Sequence, residues 1–131
     1  MKQILEFIKE QKVSYLATIE NGDQARVRPM NGLVEIEGKL TWCTNNQKDM
    51  FAQVVAYPKV EVCLFGSGKT VRISGNCVPT TDESMKAKFL ELQPAVAKFY
   101  GGKEDTLEIL VFETATALVT TGPNKETVVL Y

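Results

Sequence analysis

Four turn signals cut this 131-residue chain into short β-rich runs, and that punctuation constrains the fold more than any other feature. They are Asn21-Gly22-Asp23, Glu37-Gly38-Lys39, Gly66-Ser67-Gly68-Lys69 and Gly122-Pro123-Asn124. Each sets glycine beside small or polar residues, which supply the backbone conformations that tight turns need. The first follows Val13 to Glu20 (VSYLATIE), rich in β-branched and aromatic residues. A second long strand is expected from about Gln24 to Ile36, a third from Lys39 to Thr44, then Val60 to Phe65 and Thr70 to Val78. Leu107 to Thr120 (LEILVFETATALVT) reads as one long late strand, and Glu126 to Tyr131 as a terminal strand or tail. Pro29 has no amide proton to donate, so an edge, bulge or bend is expected there, and Gly32 points to the same irregularity.

Helical periodicity fills the gaps between strands. Residues 2–12 place Ile4, Leu5 and Ile8 together, and residues 47–57 place Met50, Phe51, Val54 and Val55 on one face before Pro58 ends the helix. Thr81-Asp82-Glu83 caps a helix over 82–92 with Met85, Phe89 and Leu92 inward, and Pro94 to Tyr100 forms a short helix closed by Gly101-Gly102. The pattern predicts an α+β domain, mainly antiparallel β, spanning residues 1–131: a small closed barrel of six or seven strands with short peripheral helices.

Several function classes fall away on composition. A net charge of −1 offers no basic face for nucleic acid. No apolar run approaches the roughly 20 residues of a membrane span, and Glu6, Lys9 and Glu10 interrupt the N-terminal apolar pattern, so a signal peptide is not expected. Cys43, Cys63 and Cys77 are odd in number and sit in strand-like runs, as buried reduced thiols of a cytoplasmic protein do. The chain has no histidine. That removes Ser-His-Asp and Cys-His catalysis, His-ligated haem and the usual zinc sites, so chemistry near neutral pH would rest on a borrowed cofactor.

One stretch carries a candidate site. Arg26 and Arg28 share a strand face because side chains alternate. If the next strand pairs back through Glu37-Gly38-Lys39, Thr44 ends near them, and Lys48 stands at a helix entrance, where free N–H groups favour an anion. Two guanidiniums, a hydroxyl and an ammonium make a phosphate seat. The plain alternative for each is a solvated surface side chain. Trp42 either stacks on a planar ring or fills the barrel. Gly66-Ser67-Gly68-Lys69-Thr70 lacks the spacing of a phosphate loop and is a hairpin turn. No acid–base pair stands out, so no catalytic residue and no metal ligand is named.

The ordered series YLATI, N-G, ARVRPM, EGKLTWCTNNQK, YPKVEV and GKTVRISG resembles the pyridoxamine 5′-phosphate oxidase-like FMN-binding split barrels. It is most similar to their short general-stress-protein-type and nitroimidazole-reductase-like members, from Val13 to Val78. The resemblance implies a split β-barrel, a homodimer, and FMN in a groove at the subunit interface. It implies that Arg26 or Arg28, with Lys48, holds the FMN phosphate, with Pro29 and Met30 in the same lining segment. Cys43, Thr44 and Asn45 would then follow the ribityl chain and flavin edge, with Trp42 beside them among the cofactor-binding residues, and Thr70 and Val71 would form another flavin-edge segment. The chain ends soon after Val128-Val129, before a segment that completes the site in the true oxidases, so pyridoxamine phosphate oxidation itself is not expected. The nitroimidazole reductases use a histidine near the flavin, which this chain lacks. The expected function is an FMN-dependent oxidoreductase acting on a small-molecule substrate or electron acceptor. A flavin-binding sensor or store without turnover is the alternative.

Overall fold

In the computed structural model, which describes all 131 residues, the turn signals close antiparallel hairpins. Glu37 and Gly38 both take positive φ (53° and 83°), the twist that joins two strands through two residues. The chain runs α1 (Lys2–Gln11), β1 (Val13–Glu20), β2 (Gln24–Asn31), β3 (Val34–Ile36), β4 (Lys39–Asn45) and α2 (Asp49–Ala56). It continues through β5 (Lys59–Gly66), β6 (Lys69–Pro79), α3 (Glu83–Leu92), α4 (Pro94–Phe99), a short 3₁₀ turn (Glu104–Thr106), β7 (Leu107–Phe112), β8 (Thr116–Thr121) and β9 (Asn124–Val129). The strands form a curled, mostly antiparallel sheet in the order β2-β1-β5-β6-β7-β4-β3, with β8 on β6 and β9 on β8. This is a split barrel.

The split is made by β6, the longest strand. Residues Lys69–Ser74 pair with β8, whereas Cys77–Pro79 pair with β7. The change of partner falls at Gly75, where a Cβ would stand 1.8 Å from the Thr114 carbonyl oxygen. Only glycine lets the bend between β7 and β8 cross β6 that closely.

Two expected long strands are each broken. The segment 24–36 splits into β2 and β3 because Gly32, at φ 76°, turns the backbone out of the ladder. The segment 107–120 splits into β7 and β8 at the Glu113–Ala115 bend, and the two halves pair with different parts of β6. Pro29 lies in β2, an edge strand, where its missing donor costs no ladder bond on the open side.

The main core lies inside the barrel, around Leu16, Leu40, Trp42, Val62, Leu64, Val71, Ile73, Leu110 and Phe112. Helices α1 and α2 cover it through Ile4, Phe7, Ile8 and Val54. A smaller core joins Met85 and Phe89 of α3 and Tyr100 to Ile36, Ile109 and Val111. Val55 and Leu92 were expected inward and instead face solvent, because each sits just beyond the strip its helix buries. Cys77 is buried as expected, while Cys43 and Cys63 are only half-buried, on strand faces that no helix fully covers.

The outer sheet face has no such cover. Tyr15, Ala17 and Ile19 of β1 stand opposite Pro29, Val27 and Ala25 of β2, and Cys63 of β5 stands opposite Tyr15. Val27 is 70% exposed, Phe65 65% and Tyr15 50%. Single exposed apolar residues are ordinary, whereas these share one face of the sheet.

Candidate functional site

The site is built where β1 and β2 meet α2. In the ladder Leu16 opposes Arg28 and Thr18 opposes Arg26, so both arginines share the inward-facing side with Leu16 and Thr18. Arg28 leans across β1. Its Nη1 donates to Thr18 Oγ1 at 2.6 Å and to the Leu16 carbonyl at 3.4 Å, and its Nη2 donates to Gln53 Oε1 at 2.9 Å. The Thr18 hydroxyl in turn donates to Gln53 Oε1 at 2.5 Å. Gln53, buried on α2, turns its amide the other way to donate from Nε2 to Glu20 Oε2 at 3.0 Å. Glu20 also receives Arg26 through two contacts, Nη2 to Oε1 at 3.2 Å and Nε to Oε2 at 3.3 Å. Five side chains therefore form one connected rim. Burial, and then the neighbouring Arg26 charge, pushes Arg28 below the usual arginine range, though a guanidinium stays protonated.

Helix α2 brings its first turn alongside. Lys48 is its N-cap residue, extended and exposed, and no side chain caps the helix. Lys48 forms no ion pair. The loop before it is pinned: Asn45 Oδ1 accepts from the Gln47 amide at 2.7 Å, and Asn46 Nδ2 donates to the Asp105 carbonyl at 2.9 Å. Gln53 lies roughly one helical turn beyond Asp49, so the uncapped end and the arginine rim are neighbours on one helix. Asp49 in the first turn is the group that opposes an anion there.

Thr44 is buried, and its Oγ1 has no hydrogen-bond partner. The β3–β4 hairpin pairs only Val34–Ile36 with Lys39–Thr41, and β4 then runs beside β7, so Thr44 stands opposite Glu108 rather than beside the arginine strand. Cys43 is half-buried; burial pushes its thiol up to about 11, with the Lys48 charge opposing in part. Its neighbour Tyr100 is also pushed up, by burial first and then by Cys43.

Other expected residues stand elsewhere. Trp42 and Val71 have no exposed surface, and Met30 is buried, because all three side chains point into the barrel and pack in its core. The Trp42 indole N–H is directed at the Cys77 sulfur, a weak acceptor, without closing a well-formed hydrogen bond. Pro29 and Thr70 lie on the outer sheet face, opposite Tyr15 and Phe65. With β6 three strands from β2, a single chain does not bring Thr70 to the arginine rim. Thr18, Glu20 and Gln53 are the functional candidates that sequence reasoning missed. Gln53 carried a signal, as a polar residue next to Val54 on the buried side of an amphipathic helix.

The fold is a split barrel in which Arg26, Arg28, Glu20 and Gln53 form one hydrogen-bonded rim beside α2. A family model described as Pyridoxamine 5′-phosphate oxidase matches residues 1–120. The chain belongs to the pyridoxamine 5′-phosphate oxidase family. It is similar to a crystal structure of a NimC/NimA family protein from Clostridium acetobutylicum, with 35% identity, a TM-score of 0.86, and coverage of 97% of this chain and 91% of that one. A pyridoxamine 5′-phosphate oxidase-related, FMN binding protein from Nostoc punctiforme shares the fold at 14% identity and a TM-score of 0.64, covering 96% of this chain and 87% of that one. A heme binding protein from Mycobacterium smegmatis shares it at 12% identity and a TM-score of 0.76, covering 96% of this chain and 56% of that one. No curated protein matches the sequence. No helix is long and apolar enough to cross a membrane.

Proposed function

We propose that this protein binds FMN between two copies of the chain and acts as an oxidoreductase on a small molecule. The observation that carries the reading is the unpaired Lys48 at the uncapped start of α2, next to the arginine rim that Gln53 ties to the same helix. An ammonium, a guanidinium and free backbone N–H groups suit a phosphate dianion. The orphaned Thr44 hydroxyl close by in sequence fits a polar ligand as well. The FMN-binding relative in the family supports the choice of flavin phosphate.

Bound FMN would supply the hydride or electron transfer. The chain's part is to hold the phosphate, orient the ring and exclude water. A flavin needs most of its surface covered; the open apolar face around Tyr15, Val27 and Phe65, on the other side of β1 and β2 from the rim, would dock a second copy, whose own residues would supply the rest of the cover. The Cys43 thiol, pushed up to about 11 chiefly by burial, stays protonated at neutral pH and is not a thiolate nucleophile there.

Titration with FMN and riboflavin tests the reading. FMN should bind more tightly, and Lys48→Ala should weaken FMN by about 1.5–3 kcal/mol, ten- to hundredfold, while leaving riboflavin unchanged. Equal affinities for the two flavins would sink the phosphate seat. Reduction of the bound flavin by a nicotinamide nucleotide, then stopped-flow reoxidation by candidate acceptors, separates an oxidoreductase from a flavin store.

A further inference from the structure

An open groove runs along the free edge of β3. This strand ends the sheet order and pairs only with β4, so its other side carries no strand. The hairpin decides which backbone groups face that side. The two-residue turn Glu37-Gly38 makes Ile36 and Lys39 the closing pair, which exchange both hydrogen bonds. The pattern alternates, so Val34 and Thr41 do the same while Glu35 and Leu40 do not. Two side-chain bonds agree with this parity. The Thr41 hydroxyl donates to the Val34 carbonyl at 3.1 Å, and the Leu40 N–H turns away from β3 to the Tyr131 hydroxyl at 2.8 Å. The Glu35 N–H and C=O therefore point to the open side, where no turn or loop bond takes up either.

Two cavities flank this edge. One, of about 430 Å³, is mostly apolar and lined by Leu5 and Ile8 of α1 with Leu33 and Leu92; Lys9 also borders it. The other, of about 290 Å³, is acidic, with Glu35, Glu37 and Glu91 set against Lys88 alone. Glu35 and Leu92 line both, so the two are continuous. They lie on opposite sides of the strand, since Leu33 packs into the barrel core with α1 and Ile36 into the smaller core with α3. In the acidic cavity Lys88 is already paired with Glu37, and Glu35 Oε1 holds the Gly38 amide at 2.7 Å, whereas Glu91 has no ion pair. Leu92 is 58% exposed.

We propose that the free edge of β3 docks an extended peptide segment of a partner protein, one that alternates apolar with basic side chains. Glu35 supplies main-chain hydrogen bonds to the added strand, and the two cavities select its side chains. An extended chain sends successive side chains to opposite faces, so an apolar residue enters the α1 cavity and the next, a lysine or arginine, meets Glu91 and Glu35. Charge complementarity selects a basic segment over a second copy of this chain. Pairing β3 with β3 across a two-fold axis would bring two acidic edges together, and like charges facing each other across a ladder are unfavourable. None of these residues belongs to the rim, so the docking site is independent of the flavin reading.

The test titrates the full chain with a fluorescein-labelled hexapeptide of alternating leucine and lysine, read by anisotropy, and follows amide hydrogen exchange by NMR. Two control peptides accompany it, one of alternating leucine and glutamate and one with the leucine–lysine sequence but N-methylated backbone amides. The leucine–lysine peptide should bind, and both controls should bind at least about tenfold more weakly. The Glu35 amide should become protected from exchange as the peptide is added. Glu91→Lys, a change at an exposed helix position, should weaken the peptide about tenfold while leaving melting and FMN affinity unchanged. Absence of binding up to about 1 mM peptide overturns the proposal, as does equal binding of the leucine–glutamate peptide. Binding that protects β2 or β9 amides in place of Glu35 also overturns it. Protection of Glu35 that grows with protein concentration in the absence of peptide would assign the edge to a second copy instead.

Discussion

Arg28 Nη2 donates to Gln53 Oε1 at 2.9 Å, and this bond ties an edge strand of the sheet to the helix that follows β4. The same oxygen takes the Thr18 hydroxyl, and the same amide reaches Glu20, so one buried side chain satisfies three others. Gln53→Leu should therefore cost about 2–3 kcal/mol, because it removes the acceptor shared by the Arg28 guanidinium and the buried Thr18 hydroxyl and the donor to Glu20. The loss would be read as a lower urea midpoint at unchanged slope. A midpoint that does not move would mean that water replaces the amide and that the rim is not a unit.

Gly75→Ala should be among the most disruptive small substitutions in the chain. Its methyl would stand 1.8 Å from the Thr114 carbonyl oxygen, a backbone atom that cannot swing aside as a side chain can. Either β6 or the β7–β8 bend must shift, at a cost of about 3 kcal/mol or more. Thermal melting would show it. Gly68→Ala, at a hairpin turn with open space around the added methyl, is the control, limited to the strain of its positive φ of 70°.

The uncovered sheet face makes a prediction about assembly. Val27, 70% exposed at the centre of the β1–β2 face, should be buried in a two-fold dimer. Light scattering should give a dimer for the wild type and a monomer for Val27→Asp, with unchanged circular dichroism and weakened FMN binding. A wild-type monomer that binds one FMN per chain would contradict the shared-site reading.

Cys77 predicts an alkaline limb in stability. Burial is the largest influence on its thiol and pushes it up from an ordinary value of 9.0 to about 12. Above pH 9 the unfolded chain sheds this proton while the folded one keeps it, so the folded state holds more protons and stability falls as pH rises. The contribution is intact below pH 9 and is lost towards pH 12, by about 1.4 kcal/mol for each unit of pH between them. Cys77→Val, close in volume and without a proton to lose, should flatten denaturation midpoints measured between pH 9 and 11. An unchanged slope would mean that other groups set it.

Much of the fold can be read locally. Each hairpin needs only a residue pair tolerant of positive φ between two β-rich runs, and Glu37-Gly38 and Ser67-Gly68 meet that need within a few residues. Helix α3 announces itself by Asp82, whose carboxylate accepts from the amides of Ser84 and Met85. The alternation in Val60–Phe65 likewise shows which side of β5 is inside. The family resemblance was legible for the same reason, since its motifs lie on consecutive hairpins.

The places where β-rich runs break were not legible. Leu107 to Thr120 has uninterrupted strand composition, yet it bends at Glu113–Ala115 because β6 changes partner at Gly75, a constraint imposed by a strand some forty residues away. The site divides along the same line. The sequence by itself determined that Arg26 and Arg28 share a face and that Lys48 opens a helix, because strand alternation and helix punctuation are local properties. Only the tertiary structure decided that Arg28 is spent on Thr18 and Gln53, that Arg26 rests on Glu20, and that Trp42 and Val71 point into the core. Those outcomes depend on which strand and which helix arrive alongside, and no local pattern encodes the neighbours that long-range packing supplies.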